Sequence, residues 1–383
     1  MDLHTRRLET ECGMADPFSF SDNLGPKKII HVHNPAEGLR GILVIDNVAI
    51  GPSIGGLRMA PDVSLEECFR LARAMTLKNA AAGLPHGGGK SVLFGDPAME
   101  SAKKEKLVRC MAATLREETD YIFGPDMGTN ETCMAWVKDE IGRAVGLPAA
   151  LGGIPLDEIG ATGFGIMHAC DVALASAGIP FAGARIALQG FGAVGKHAAR
   201  FLSEKGALVC AVSDTKGSAI NANGLDVQAL IELKRTGRSV TDLPGAQIQS
   251  ADEIIGVDCD VLIPAARPDV IRESNVESVR AKLVVSGANI PMTPGAEKRL
   301  HEKGILYVPD FIANAGGVIC AAMEYAGSTK TAAFDAISEK VRANTEEVIR
   351  MSKRDGILPR QAAVDLAMRR LKHAMTVRRF GIF

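Results

Sequence analysis

Long apolar runs are missing from this 383-residue chain. No stretch is long enough to span a bilayer, and the leader MDLHTRRLETECGMADPF has no apolar core of signal-peptide length. A soluble cytoplasmic protein is therefore expected, with no membrane partner. Aromatic residues are scarce at 4%, while glycines number 40. That balance disfavours a β-sandwich and fits a close-packed α/β interior. An excess of either charge is also lacking: 44 Lys and Arg face 45 Asp and Glu, for a net charge of −1. Nothing in that balance attracts nucleic acid or a lipid surface. The eight cysteines, scattered from Cys12 to Cys320, form no close pair and meet no His at metal-ligand spacing. They are expected to be reduced, mostly buried small apolar residues, with no metal site. The length itself predicts two domains, each with its own core.

What is present begins with strand-like runs at Lys28 to Val32 and Gly41 to Ile45. Asp46 and Asn47 read as a turn, Val48 to Ile50 as a resumed extended segment, and Gly55-Gly56 as a glycine turn. Ser64 and Glu67 form a capping-box pattern, in which hydroxyl and carboxylate satisfy opposite N–H groups. Leu65, Cys68, Phe69, Ala72, Met75 and Thr76 follow at helical spacing, and Gly83 ends the helix. Lys78 falls in its last turn, where a lysine that complements the helix dipole is the plain reading. A second glycine turn, Gly87-Gly88-Gly89, then leads to Lys90. Three glycines in a row carry an entropic cost that a backbone approaching a ligand explains, and the Walker spacing of a phosphate loop is lacking. His86 is read as structural.

A helix over Glu105 to Glu118 precedes the short strand Tyr121 to Gly124, which delivers Asp126 at its carboxyl end, where α/β sheets gather ligands. Thr129 is expected to cap the next helix, with Met134, Trp136 and Val137 in the core. The Gly- and Pro-rich stretch Gly146 to Gly160 is the candidate hinge.

After it comes a helix over Ala161 to Ala177 and the strand Arg185 to Gln189, which runs into Gly190-Phe191-Gly192-Ala193-Val194-Gly195. A helix and the strand Leu208 to Val212 complete a βαβ unit. Gly190 permits the tight turn, Gly192 lets a pyrophosphate approach, and Gly195 lets the helix pack on the strand. Asp214, nineteen residues on, would accept from the adenosine ribose and repel a 2′-phosphate, so NAD is favoured with NADP possible. Ser213 is the alternative contact, and Lys216 a neighbour able to tolerate a phosphate. Further strands at 261–264, 282–285 and 305–308 deliver Asn289 and Asn314 beyond the last two. Their amides suit a nicotinamide carboxamide, and equally simple turn chemistry. From Lys330 the chain reads as helical, broken at Pro359.

These motifs resemble the glutamate, leucine, phenylalanine and valine dehydrogenase family from about Ile30 through Tyr325. The matching stretches are GGLRMAPDVSLEE, MTLKNAAAGLPHGGGKS, GPDMGTNE, ATGFG, QGFGAVGKHAARFL, CDVLIPAA, GANIPMTP and NAGGV. The resemblance implies residues 1–152 as a substrate-binding and oligomerisation domain, 153–330 as a Rossmann-type dinucleotide domain, and 331–383 as helices returning to the first. It implies a hexamer or octamer. It makes Lys78 and the Gly55-Gly56 pair substrate-binding, with Lys78 on the α-carboxylate, Lys90 the catalytic lysine and Asp126 the proton-shuttling carboxylate. Thr162, Ala265 and Ala266 join the glycine turn, Asp214, Asn289 and Asn314 at the cofactor. The implied reaction converts an L-amino acid to its 2-oxo acid and ammonia, reversibly, by hydride transfer, water addition to the iminium and loss of ammonia. Lys90 must then be partly neutral, against an ordinary pKa of about 10.4. A second ammonium roughly 6 Å away, at an effective dielectric of about 20, contributes about 3 kcal/mol toward that.

Substrate choice turns on Ile54, where glutamate-specific members carry a lysine, and on Ala321 beside Val318. A carboxylate left in an apolar pocket costs several kcal/mol, against about 0.8 for a misfitted methylene. An apolar L-amino acid, branched-chain, Met or Phe, is therefore expected. The second domain looks closer to glutamate dehydrogenases, so glutamate, with its carboxylate partner supplied from elsewhere, is the alternative. A catalytically silent nucleotide-binding relative ranks below it, and a metal-dependent decarboxylating dehydrogenase last.

Overall fold

The computed structural model describes residue 16 and residues 18–378; Cys12 and the closing residues 379–383 lie outside that range. The first sheet is built from β1 (Lys28–Asn34), β2 (Leu39–Asn47), β3 (Ser53–Ala60), β4 (Gly87–Phe94) and β5 (Tyr121–Pro125), in the order β1-β2-β4-β3-β5. β1 and β2 run antiparallel to their neighbours, while β3 lies parallel to both β4 and β5. Helix α1 (Leu65–Ala81) covers one face, where Cys68 and Ala72 meet Ile42, Val44 and Val92. Helices α2 (Ser101–Thr114) and α3 (Glu131–Ile141) cover the other, over Leu43, Leu57 and Leu93.

Both glycine turns expected from the sequence are strands. Gly55 and Gly56 lie inside β3, and Gly87 to Gly89 open β4. The reason is crowding. A Cβ on Gly88 would sit 2.0 Å from the Thr76 backbone nitrogen of α1, and one on Gly55 would sit 1.9 Å from the Gly89 carbonyl oxygen. Glycine lets the helix press its backbone onto a central strand.

Asp46 and Asn47 likewise belong to β2 rather than to a turn, and Val48 to Ile50 form no strand. Buried Asp46 is held by Arg73 Nε at 2.8 Å and Thr76 Oγ1 at 2.6 Å, both from α1. Those donors make a carboxylate tolerable in the strand. Only half of the expected capping box forms. Ser64 accepts the Glu67 N–H at 3.1 Å, but the Glu67 carboxylate reaches Arg58 instead. Thr129 does not cap α3; Asn130 does, accepting from Cys133 N–H, while Thr129 Oγ1 donates to the Leu57 carbonyl.

The hinge stretch carries the short helix α4 (Leu156–Ile159) and leads into α5 (Ala161–Ser176). The second sheet follows, with β6 (Arg185–Gln189), α6 (Ala193–Glu204), β7 (Leu208–Asp214), β8 (Gly217–Ile220), α7 (Val227–Arg235), β9 (Gln247–Gln249), β10 (Val261–Pro264), β11 (Leu283–Val285), α8 (Pro294–Glu302) and β12 (Leu306–Val308). Its order is β12-β11-β10-β6-β7-β8-β9, parallel from β12 to β7 and antiparallel beyond. The stretch Ala251–Gly256 is a 3-10 turn. Helices α9 (Asp310–Ala313), α10 (Gly316–Tyr325), α11 (Lys330–Asp355) and α12 (Pro359–Val377) complete the chain.

The two sheets are tied through α12. At its start Arg360 pairs with buried Glu297 and Asp310, and further along Arg370 donates to the Ala81 carbonyl at the end of α1. Helix α12 thus returns to the first domain, while α11 packs along α5. A second tie lies in the stretch between the two sheets, where the Glu324 carboxylate of α10 accepts N–H bonds from Leu147 at 3.1 Å and Ile154 at 2.8 Å. No helix among the described residues is long and apolar enough to cross a membrane.

Candidate active site

Three adjacent elements of the first sheet converge on one point. β3, β4 and β5 run parallel, so their carboxyl ends lie together. β5 ends at Pro125 and presents Asp126; β4 presents Lys90, which is only 6% exposed. Lys90 Nζ forms an ion pair with Asp126 Oδ2. Gly56 makes the meeting possible, because a Cβ there would stand 2.7 Å from Asp126 Cβ and 3.2 Å from Lys90 Nζ. Its partner Gly55 is a strand-packing residue. Burial pushes the Asp126 carboxyl up, but Lys90 and Arg58 overcome it and hold it below its ordinary value. Arg58, which the sequence reading left out, donates from Nε to the same oxygen at 3.1 Å.

Lys78, in the last turn of α1, reaches across to the second half of the molecule. Its Nζ donates to Asn314 Oδ1 at 2.8 Å. Burial lowers its pKa to about 8; Asp310 opposes that shift and Lys90 reinforces it. Asn314 Nδ2 donates in turn to Asn289 Oδ1 at 2.9 Å, so the two amides form a bridge between Lys78 and the loop after β11. Both polar atoms of Asn314 and the Asn289 oxygen are engaged in this bridge. Ile54, Ile122, Val145 and Ala321 form one buried apolar cluster, which brings Ile54 of β3 and Ala321 of α10 together. Val318 is partly buried on the same helix and packs against the large core instead.

The glycine turn stands between β6 and α6 as expected. Gly190 has φ of 98°, open to glycine and strained for other residues. Gly192 faces open space, with nothing within 4 Å of where a Cβ would be. Gly192 is the N-cap of α6 and no side chain caps that end, so the first-turn N–H groups of Ala193, Val194 and Gly195 form a cradle suited to a pyrophosphate. Ala265 and Ala266 abut the turn; Ala265 N–H donates to the Gln189 carbonyl at 2.7 Å. Two of the expected cofactor residues are engaged within the protein. Phe191 is buried in the core and its N–H donates to the Ser213 carbonyl, so it faces no ligand. Asp214 accepts from Lys234 Nζ, Ser239 Oγ and the N–H groups of Lys216 and Val240, so both its oxygens are engaged inside the protein. Thr162, on the first turn of α5, lies against Gly317.

Family models match most of this architecture. Residues 26–143 match the Glu/Leu/Phe/Val dehydrogenase dimerisation domain, and residues 152–379 match Glutamate/Leucine/Phenylalanine/Valine dehydrogenase. The chain belongs to the glutamate, leucine, phenylalanine and valine dehydrogenase family. Among similar family members, an NADP(+)-dependent glutamate dehydrogenase of Pyrobaculum calidifontis is 37% identical, over 92% of this chain and 91% of its own. A glutamate dehydrogenase of Thermotoga maritima is 35% identical, over 94% and 92%. Among solved structures, the hetero-hexameric glutamate dehydrogenase from Thermus thermophilus, in a Leu-bound form, superposes with a TM-score of 0.81 at 30% identity, over 92% of this chain and 90% of that one.

Proposed function

We propose that this family member, an NAD(P)-dependent amino-acid dehydrogenase, deaminates its substrate through the Lys90–Asp126 pair beside Lys78. The observation that carries the reading is the convergence of one partly buried ion pair, between Lys90 of β4 and Asp126 just past β5, with a second, buried lysine from the last turn of α1. A bound NAD(P) supplies the hydride acceptor. Lys78 presents an ammonium to the substrate α-carboxylate, exchanging its bond to Asn314 for one to the ligand. Lys90 holds and activates the water that adds to Cα, and Asp126 carries protons between that water and the departing nitrogen. Both cofactor forms are in keeping with the cradle, since the Asp214 carboxylate is offset by Lys234.

For the substrate side chain, the names of the relatives favour L-glutamate over the apolar amino acid expected from Ile54. That reading needs a cation for the distal carboxylate, and the three cations gathered at the site are engaged: Lys78 by Asn314, Lys90 and Arg58 by Asp126. One observation favours the apolar reading, namely the cluster of Ile54, Ile122, Val145 and Ala321. A panel of L-glutamate, L-leucine, L-valine, L-methionine and L-phenylalanine, each with NAD and NADP and read by reduced-cofactor absorbance, separates the two. Glutamate turning over fastest supports the relatives' specificity; an apolar substrate ahead supports the pocket. No turnover despite measurable NADH binding would overturn the enzymatic reading. A homo-oligomer is proposed on the match to the dimerisation domain.

A further inference from the structure

Arg58 follows Gly56 by two positions, so both project from the same face of β3. Its guanidinium divides between two carboxylates. Nε donates to Asp126 Oδ2 at 3.1 Å, and Nη1 donates to Glu67 Oε1 at 2.5 Å. Lys90 meets the same Oδ2. Two cations therefore converge on one oxygen of the proposed proton carrier, Oδ2. The backbone is fixed as well: the Asp126 N–H donates to Thr129 Oγ1 at 3.0 Å.

The groups acting on Asp126 are Lys90 of β4, Arg58 of β3 and the Met127 N–H; on α1, Glu67 and Cys68 neighbour those two cations and Lys78 neighbours Lys90. β5 itself supplies Tyr121. Burial pushes the Cys68 thiol up to about 12 and the Tyr121 phenol higher still, so both stay neutral. The field at Asp126 is then set by two cations close by and by Glu67, which partly offsets one of them.

We propose that Arg58, oriented by Glu67, is a positioning residue for Asp126: it pins Oδ2 and leaves Oδ1 as the oxygen that exchanges protons with substrate and water. This rests on the reading of Asp126 as proton carrier. Removing the guanidinium frees the carboxylate to rotate and takes away one of the two charges that keep it ionised. A planar two-donor clamp is replaced only in part by lysine.

The test uses the full-length protein with its best amino acid from the panel. Arg58→Gln, Arg58→Lys, Glu67→Gln and Asp126→Asn are compared for kcat and KM across pH, for NADH binding by fluorescence titration, and for thermal stability. Arg58→Gln should lower kcat about 10–100-fold, leave KM for the amino acid within about twofold, and move the acid limb of kcat up by about one pH unit. Arg58→Lys should recover part of the rate. Glu67→Gln should move the same limb down, because the charge that offsets Arg58 is gone. A folded Arg58→Gln protein whose pH profile superimposes on that of the parent overturns the inference. Should Arg58→Gln not fold, an unshifted acid limb in Glu67→Gln overturns it instead. If Asp126→Asn retains full turnover, the proton-carrier reading itself fails, an outcome distinct from a silent Arg58.

Discussion

Glycine does opposite work at the strand glycines of the first sheet and at Gly192, which opens α6. In the first sheet Gly55, Gly56 and Gly88 lie inside strands, and each absent Cβ is filled by protein: the Gly89 carbonyl, Asp126 and Lys90, and the Thr76 backbone. In the second half Gly192 opens a helix and faces open space. The first set lets backbone press against backbone so that α1, β3 and β4 bring Lys78, Lys90 and Asp126 to one place. The second leaves room for something that is not protein. A glycine run therefore marks a close approach without saying what approaches, and the partner must be found in three dimensions.

Substitutions sharpen that contrast. The largest effect is expected from Gly88→Ala, whose Cβ would stand 2.0 Å from the Thr76 nitrogen. Overpacking of backbone against backbone should cost about 3 kcal/mol or more, seen as a large drop in thermal midpoint or in soluble yield. Gly192→Ala should leave the thermal midpoint unchanged and weaken NADH about tenfold, about 1.4 kcal/mol, in a fluorescence titration. An unchanged midpoint for Gly88→Ala, or a collapsed one for Gly192→Ala, would break the distinction. A smaller effect concerns charge. Lys78 must be an ammonium to hold a carboxylate, and burial lowers its pKa to about 8. The sign follows: the binding form is complete below pH 8 and is lost above it. kcat/KM for the amino acid should therefore fall about tenfold per pH unit on the alkaline side. Lys78→Arg, charged throughout, should remove that limb.

Local pattern made the dinucleotide half legible: a strand, a glycine turn and a helix occur in sequence order, so β6, the Gly190 turn and α6 could be placed without knowing their surroundings. Asp126 was legible for the same reason, at the end of the short strand β5. The strand glycines were not, because their partners come from other elements; Gly88 meets Thr76, twelve positions earlier and on a helix. Asp46 was misread as a turn because Arg73 and Thr76, which satisfy it in β2, lie a loop, a strand and most of a helix away. Phe191 and Asp214 carried the right pattern, yet one is core and the other is bound by four internal donors. Arg58 was overlooked although a signal existed. It shares a strand face with Gly56, the residue that touches Asp126 and Lys90.

The central claim is that Lys90 performs chemistry and holds no part of the cofactor site. Its most direct test is Lys90→Ala, assayed for turnover of the best amino acid and for NADH affinity on the same preparation. Turnover reduced about 10²–10⁴-fold with NADH affinity unchanged is the predicted result. Turnover retained, or NADH binding lost together with it, would contradict the account.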